Sequence, residues 1–319
     1  TVLVPMSVRS MNGPLVTSIV GSAADEENAV RCVYLSAGSV LEGFTVTSGR
    51  TRTSLGIAPN SMTAIFLNAC GGGAYLNEGT LSNCIVVGNR AAWYGGGVCF
   101  GRVVNSQLLA NRVDIFDGGA SFEADLGNCR IEGNVAPWNG GGACGGSLVN
   151  CLVIGNLSDS GGGVALADAR NCTITQNVAS NLGGGVSGAD LLNCIIYSNT
   201  APWDPNYHGS SLSYCCTTPL PTNGPGNIAG EPGFGSSTDT NYDLASTSPC
   251  VDAGMNEAWM LDAKDIDDRP RIMNGRVDMG AHEFRFEATL RCLLEGSYVA
   301  TSDTMRLAFE TQLINANGT

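Results

Sequence analysis

Lysine is nearly missing from this 319-residue chain. Lys264 stands alone, and the 16 basic residues face 29 acidic ones, for a net charge of −13. A surface this acidic repels nucleic acid and anionic lipid, so neither is expected as a partner. Charged residues of all kinds are scarce, at 14% against a usual figure of about 25%. No apolar run reaches the roughly 18 residues of a membrane span. Histidine occurs twice, at His208 and His282, in neither a Ser/His/Asp nor a HExxH frame. The 13 cysteines include no CxxC pair of the kind that holds zinc. Apolar spacing at i, i+3, i+4 and i+7 is also lacking, which argues against a helical repeat.

Glycine is abundant, with 43 residues, about twice the ordinary usage of roughly 7%. A hydrophobic fraction of 43% argues against disorder. The opening residues 1–10 read as a strand already in pattern, as in a processed or trimmed chain.

An internal repeat dominates the sequence. The pattern Asn-Cys-x-apolar-x-x-Asn recurs with Cys84, Ser106, Cys129, Cys151, Cys172, Cys194 and Cys216 in the cysteine position, at a mean step of 22 residues. Five positions on from the first six stand Asn89, Asn111, Asn134, Asn156, Asn177 and Asn199. Glycine clusters keep the same beat from Gly71, Gly95, Asp117, Gly140, Gly161 and Gly183. Between these marks the residues alternate, as in Cys129-Arg130-Ile131-Glu132, which is the period of a strand with one face buried. Short strands in a 22-residue period predict an all-β fold, a right-handed single-stranded parallel β-helix of nine to eleven coils. Like residues then stack about 4.8 Å apart. Inward pairs are expected from Cys84/Val86 through Cys194/Ile196, with the cysteines as a reduced packing column. The asparagines are expected to form an inward amide ladder, each side chain bonding the next. Upstream, Phe44 falls in the cysteine column and the coil after it carries an insertion around residues 50–60. Segments 2–8, 15–20 and 32–35 read as opening strands.

The repeat with its GGG clusters resembles the right-handed parallel β-helix proteins of the pectate-lyase-like superfamily. Ser248-Pro249-Cys250-Val251-Asp252-Ala253-Gly254, Asp265-Ile266-Asp267-Asp268-Arg269-Pro270 and Val277-Asp278-Met279-Gly280-Ala281-His282-Glu283-Phe284 resemble the closing segment of choice-of-anchor Q domain proteins. The resemblance implies a bacterial secreted or cell-surface protein. It divides the chain into a β-helix over residues 1–285, closed by a Gly/Asp-rich segment at 246–285, and a small tail or β-module start at 286–319, with a short helix near 305–313. The Asn-x-Asp, Asp-Asp and Gly-His-Gly motifs of polygalacturonases do not occur in the coil body, and no arginine carries a lyase signature.

Three groups of residues carry candidate chemistry. Thr80, Arg102, Asp125, Ser147, Asp168 and Asp190 stand four residues before the cysteine column. Asp168 and Asp190, with Asp125 as a third candidate, could bind Ca²⁺ or act on a glycosidic bond, or simply occupy a solvated turn. Trp93, Trp138 and Trp203 form a tryptophan column, with a two-coil spacing of about 10 Å suited to stacking on sugar or to covering a turn. The outward residues Arg130, Glu132, Thr173, Thr175 and Tyr197 add to that carbohydrate-facing set. Asp265, Asp267 and Asp268 could hold Ca²⁺, or pair with Arg269 and Arg271. The expected function is a structural or adhesive surface rod, self-associating head to tail into a filament if its ends are open, with residues 288–319 as the contact. The alternative is a polysaccharide-binding or polysaccharide-degrading β-helix, a lyase or a glycosidase.

Overall fold

The structure, a computed structural model, describes residues 5–22, 28–52, 67–235 and 242–285. The chain divides into two compact units, Thr1–Phe284 and Arg285–Thr319. The expected helix near 305–313, the proposed contact in 288–319 and residues 53–60 of the insertion lie outside the described residues.

Alternating short strands and turn residues wind into a parallel β-solenoid of about 22 residues per coil. One sheet stacks nine strands in register, from Ser18–Val20 through Thr45–Thr47, Ile85–Val87, Arg130–Glu132 and Thr173–Thr175 to Cys216–Thr217. About seven of these rungs keep the regular spacing, fewer than the nine to eleven expected, because the opening coils are irregular. A 15-stranded sheet forms the adjoining face, running along Ser7–Arg9, Val40–Glu42, Thr80–Ser82, Arg102–Val104, Ser121–Gly127 and Ala143–Val149.

The turn chemistry explains the repeat. Asn83, Asn105, Asn128, Asn150, Asn171 and Asn193, each just before the cysteine column, have φ between 48° and 56°. Asparagine tolerates this left-handed conformation better than most side chains, so the corner between the sheets recurs. The next residue points into the cylinder. Cys84, Ser106, Cys129, Cys151, Cys172 and Cys194 are all buried, as are Val86, Leu108, Ile131, Val153, Ile174 and Ile196. The seventh member of the column is Cys215, not Cys216. The Cys194 amide donates to the Cys215 Sγ at 3.4 Å, while Cys216 pairs with Ile195 on the outward-facing register. The twelve described cysteines are free thiols. In the glycine column Gly118, with φ 75°, stands beside Gly95 and Gly140, so that beat falls on Gly118 and not Asp117.

The inner asparagines form the expected ladder. The Oδ1 of Asn111, Asn134, Asn156, Asn177 and Asn199 each accepts from both the backbone N–H and the Nδ2 of the asparagine one coil earlier, at 2.8–3.0 Å. Asn206 ends the ladder: it accepts from Asn199 and donates to the Thr218 carbonyl at 2.8 Å.

The two ends differ. Residues 219–230 cover the last coil, where Asn227 accepts from the Cys215 amide and donates to the Leu212 carbonyl, and Tyr214 donates to Pro225. At the other end Ser7–Arg9 and Ser18–Val20 are edge strands, beside exposed Met11, Leu15 and Val16.

The closing segment lies along the flank of the solenoid, against the nine-stranded sheet. Asn150 donates to Lys264 O, Asn171 to Asp278 O and Asn193 to Met255 O. The Ala281 amide donates to Thr173 Oγ1 at 3.0 Å. The expected one-sided alternation therefore fails here. Leu152–Ile154 and Thr173–Thr175 are buried on both faces, and Thr173 and Thr175 are not available as outward contacts.

Candidate functional site

A concave surface follows from the corner within the 15-stranded sheet. Two residues before the Thr80–Arg102–Asp125–Ser147–Asp168–Asp190 register column stand Glu78, Phe100, Glu123, Gly145, Leu166 and Gly188, all with positive φ. The chain turns there, and side chains on either side of the turn face one another across a groove. Two adjoining cavities of about 630 and 700 Å³ share Arg102 and Asp125. Tyr75, Phe100, Glu78 and Glu123 line the first; Ser147, Trp259 and Lys264 line the second. Asp125 accepts from Ser147 Oγ at 2.6 Å. Glu78, Phe100 and Glu123 hold left-handed backbone at φ 58°, 62° and 51°, a conformation that costs an ordinary residue roughly 1–2 kcal/mol. Strained positions of this kind gather at functional sites. Gly145 leaves the space that the Glu123 carboxylate occupies, since a Cβ there would stand 2.6 Å from the Glu123 Cδ.

Asp125, Asp168 and Asp190 fall in a single register column and are exposed. Asp125 lines the groove with Arg102, whereas Asp168 and Asp190 continue the column beyond its lining. Arg130 and Glu132 pair with each other at 2.7 Å. Tyr197 packs on the apolar cluster under the closing segment.

The tryptophans do not make one open column. Phe116 sits between Trp93 and Trp138, edge-on to both with centroids 5.5 and 5.3 Å apart. Trp203 bridges Leu182, in the neighbouring column. Trp138 and Trp203 remain 57% and 70% exposed. An aromatic ridge that the repeat pattern does not announce runs through Tyr34, Tyr75, Phe100, Phe122, Tyr94 and Phe116. It packs over buried Cys70 and Cys99 and walls the groove. Arg31 fixes one end, stacking on the Tyr75 ring at 5.3 Å and donating to the Leu67, Cys70 and Gly71 carbonyls. Burial pushes the Tyr75 phenol up to about 12.

The aspartates of the closing segment serve its own structure. Asp265 Oδ1 accepts from the Asp267 and Arg269 amides, and its Oδ2 from the Glu283 amide. Asp268 pairs with Lys264 at 2.7 Å. Asp267 groups instead with Asp243 and His282; the Arg269 guanidinium supplies the positive charge there, 2.9 Å from Asp243 and 3.2 Å from Asp267. His282 is buried, and His208 lies at the surface 2.6 Å from Asp204. Arg271 is fully buried, 3.2 Å from Glu283.

Burial raises the Asp278 carboxyl to about 6 and the Glu283 carboxyl to about 9. A raised folded-state value means that the folded chain binds more protons than the unfolded chain between the ordinary carboxylate range and that value. The contribution of these groups is therefore full at and below about pH 4. It declines as pH rises through 6 and on toward 9, with a slope of up to about 1.4 kcal/mol per pH unit for each proton. Unfolding midpoints measured across pH 4–9 should fall over this range, and Asp278→Asn should flatten the part between pH 4 and 6.

Among the described residues no helix is long and apolar enough to cross a membrane. Comparison with protein-family models finds no match, and comparison with curated proteins finds none either.

Proposed function

We propose that this β-solenoid is a secreted or cell-surface recognition protein of the pectate-lyase-like kind, ending in a choice-of-anchor Q type segment, and that its groove holds an extended neutral glycan. The observation that carries this reading is the pair of cavities joined at Arg102 and Asp125, with Tyr75 and Phe100 along one and Trp259 along the other. Aromatic faces stack on sugar rings, and the carboxylates and guanidinium offer hydrogen bonds to hydroxyls. Three carboxylates against Arg102 and Lys264 disfavour a polyuronate, which would bring further negative charge.

Affinity electrophoresis in gels containing neutral polysaccharides should retard the protein, and polygalacturonate should not. Asp125→Ala and Trp259→Ala should each weaken binding about tenfold, the effect of losing about 1.4 kcal/mol. Glu123→Gly should weaken binding yet raise stability by about 1 kcal/mol, because glycine relieves the φ of 51°. Absence of retardation across the neutral panel, or preference for polygalacturonate, would overturn the reading.

The exposed Met11, Leu15 and Val16 beside the first edge strands favour a second, compatible reading, an adhesive contact with another copy. A contact of this face with its like closes as a two-fold pair, whereas a contact with a different face of the next copy grows head to tail into a filament. Light scattering across concentration distinguishes a dimer from a growing series.

A further inference from the structure

Cys215 and Cys216 are adjacent, so in a strand they point to opposite faces. Cys215 enters the cylinder; Cys216 points out of it, toward the closing segment. Cys250 comes from that segment and points inward. Its amide donates to Ser248 Oγ at 3.1 Å, and its carbonyl accepts from the Met279 amide at 3.0 Å. Both sulfurs are fully buried in one apolar cluster with Ile195, Leu244 and Met279. Cys216 and Cys250 thus pack in the same cluster, one from the last strand and one from the closing segment.

This arrangement differs from the cysteine column. Column neighbours project in parallel from successive rungs, which suits the disulfide dihedral poorly. Cys216 and Cys250 meet from facing elements, and the Cys216 thiol also donates to the Gly230 carbonyl at 3.5 Å.

We propose that Cys216 and Cys250 form a disulfide that staples the closing segment to the last strand of the nine-stranded sheet. The co-reactant is a small-molecule disulfide of the oxidised-glutathione class. Cys216 thiolate attacks one of its sulfurs, releasing one small thiol and leaving a mixed disulfide. Cys250 thiolate then attacks Cys216 Sγ, releasing the second small thiol. Two protein thiols lose two electrons and two protons, and one small disulfide is reduced to two thiols. Because both sulfurs are shut from solvent in the docked state, the bond forms as the segment docks. Trp259 and Lys264, on the same segment, are thereby held at the groove, although the staple does not depend on what the groove binds.

The test is non-reducing peptide mapping of the full chain, folded in a glutathione redox buffer and alkylated under denaturing conditions. The expected product is a linked Cys216–Cys250 peptide two hydrogens lighter than its parts, with Cys129, Cys151, Cys172 and Cys194 alkylated. Cys250→Ala should abolish the link and return Cys216 as an alkylated residue; Cys84→Ala should leave it intact. Should Cys250→Ala not fold, limited proteolysis of the wild-type chain decides. Cleavage within 242–284 should be at least about tenfold slower before reduction than after it, in keeping with a cross-link that suppresses local opening. Free thiols at both positions, linkage to another cysteine, or equal proteolysis rates would overturn the proposal.

Discussion

Replacing Asn156 by alanine should destabilise the protein by about 3–5 kcal/mol, enough to remove much of a typical domain's stability. Asn156 is fully buried. Its Oδ1 accepts from the Asn134 N–H and Nδ2, both at 2.9 Å, and its Nδ2 donates to the Ile131 carbonyl at 3.0 Å and to Asn177 Oδ1 at 2.9 Å. Alanine removes all four bonds, leaves the Asn134 N–H without its acceptor in the dry interior, and adds a cavity. Asn156→Asp should be at least as harmful, since a carboxylate would face the Ile131 and Asn177 oxygens. The outer asparagines provide the control. Asn128 also bonds its column neighbours, Asn105 and Asn150, at 3.1 Å, but it is only half-buried, and water replaces what is lost. Asn128→Ala should cost about 1 kcal/mol, most of it from the φ of 51°. Urea unfolding midpoints of the three variants check the order. Equal effects at Asn156 and Asn128 would mean that the inner ladder contributes no more than a surface turn.

Glycine substitutions should divide in the same way. A Cβ on Gly162 would lie 2.4 Å from the Gly184 carbonyl oxygen and 2.5 Å from that of Val178. Neither oxygen belongs to a flexible side chain, so Gly162→Ala must push successive coils apart, at a cost of about 3 kcal/mol or more. Gly155 has open space around it but φ 59°. Gly155→Ala should cost about 1 kcal/mol from backbone strain alone, and Gly155→Asn should recover part of it. Thermal melts of the three proteins, with circular dichroism to confirm retained β-structure, measure the difference. Similar losses for Gly162→Ala and Gly155→Ala would show that the coils have more slack than their contacts indicate.

The core of the solenoid was legible because its period is local and repeated. Cys129, Ile131 and Asn134 recur in phase, so one rung predicts the next, and the inward pairs and amide ladder follow from alternation and amide chemistry. Cys216 was misplaced because Cys215 precedes it and a 22-residue beat cannot choose between adjacent positions. The structure chooses Cys215 by burying it in the column. Period also says nothing about what lies against the outside of a coil. The Ala281–Thr173 bond joins residues 108 positions apart, and nothing near Thr173 signals that its outer face is covered. The groove was half legible. Asp125 and Arg102 are visible as a column, but Glu123 and Phe100 lie at a corner whose positive φ no spacing rule marks, and Trp259 arrives from the closing segment. The asparagines before the cysteine column were visible as part of the repeat, yet their role as left-handed corners required the backbone angles.

The central claim is that successive coils stack in register, one strand spacing per coil. Pulsed electron resonance between spin labels on genetically encoded side chains tests it without disturbing the cysteines. Thr80 and Ser211 stand six rungs apart in one column, and Asp125 and Ser211 stand four apart. At about 4.8 Å per rung these pairs should give narrow distributions near about 29 Å and 19 Å before the label length is added. Their difference of about 10 Å is independent of the label. Broad distributions, or a difference far from two strand spacings, would contradict the stack.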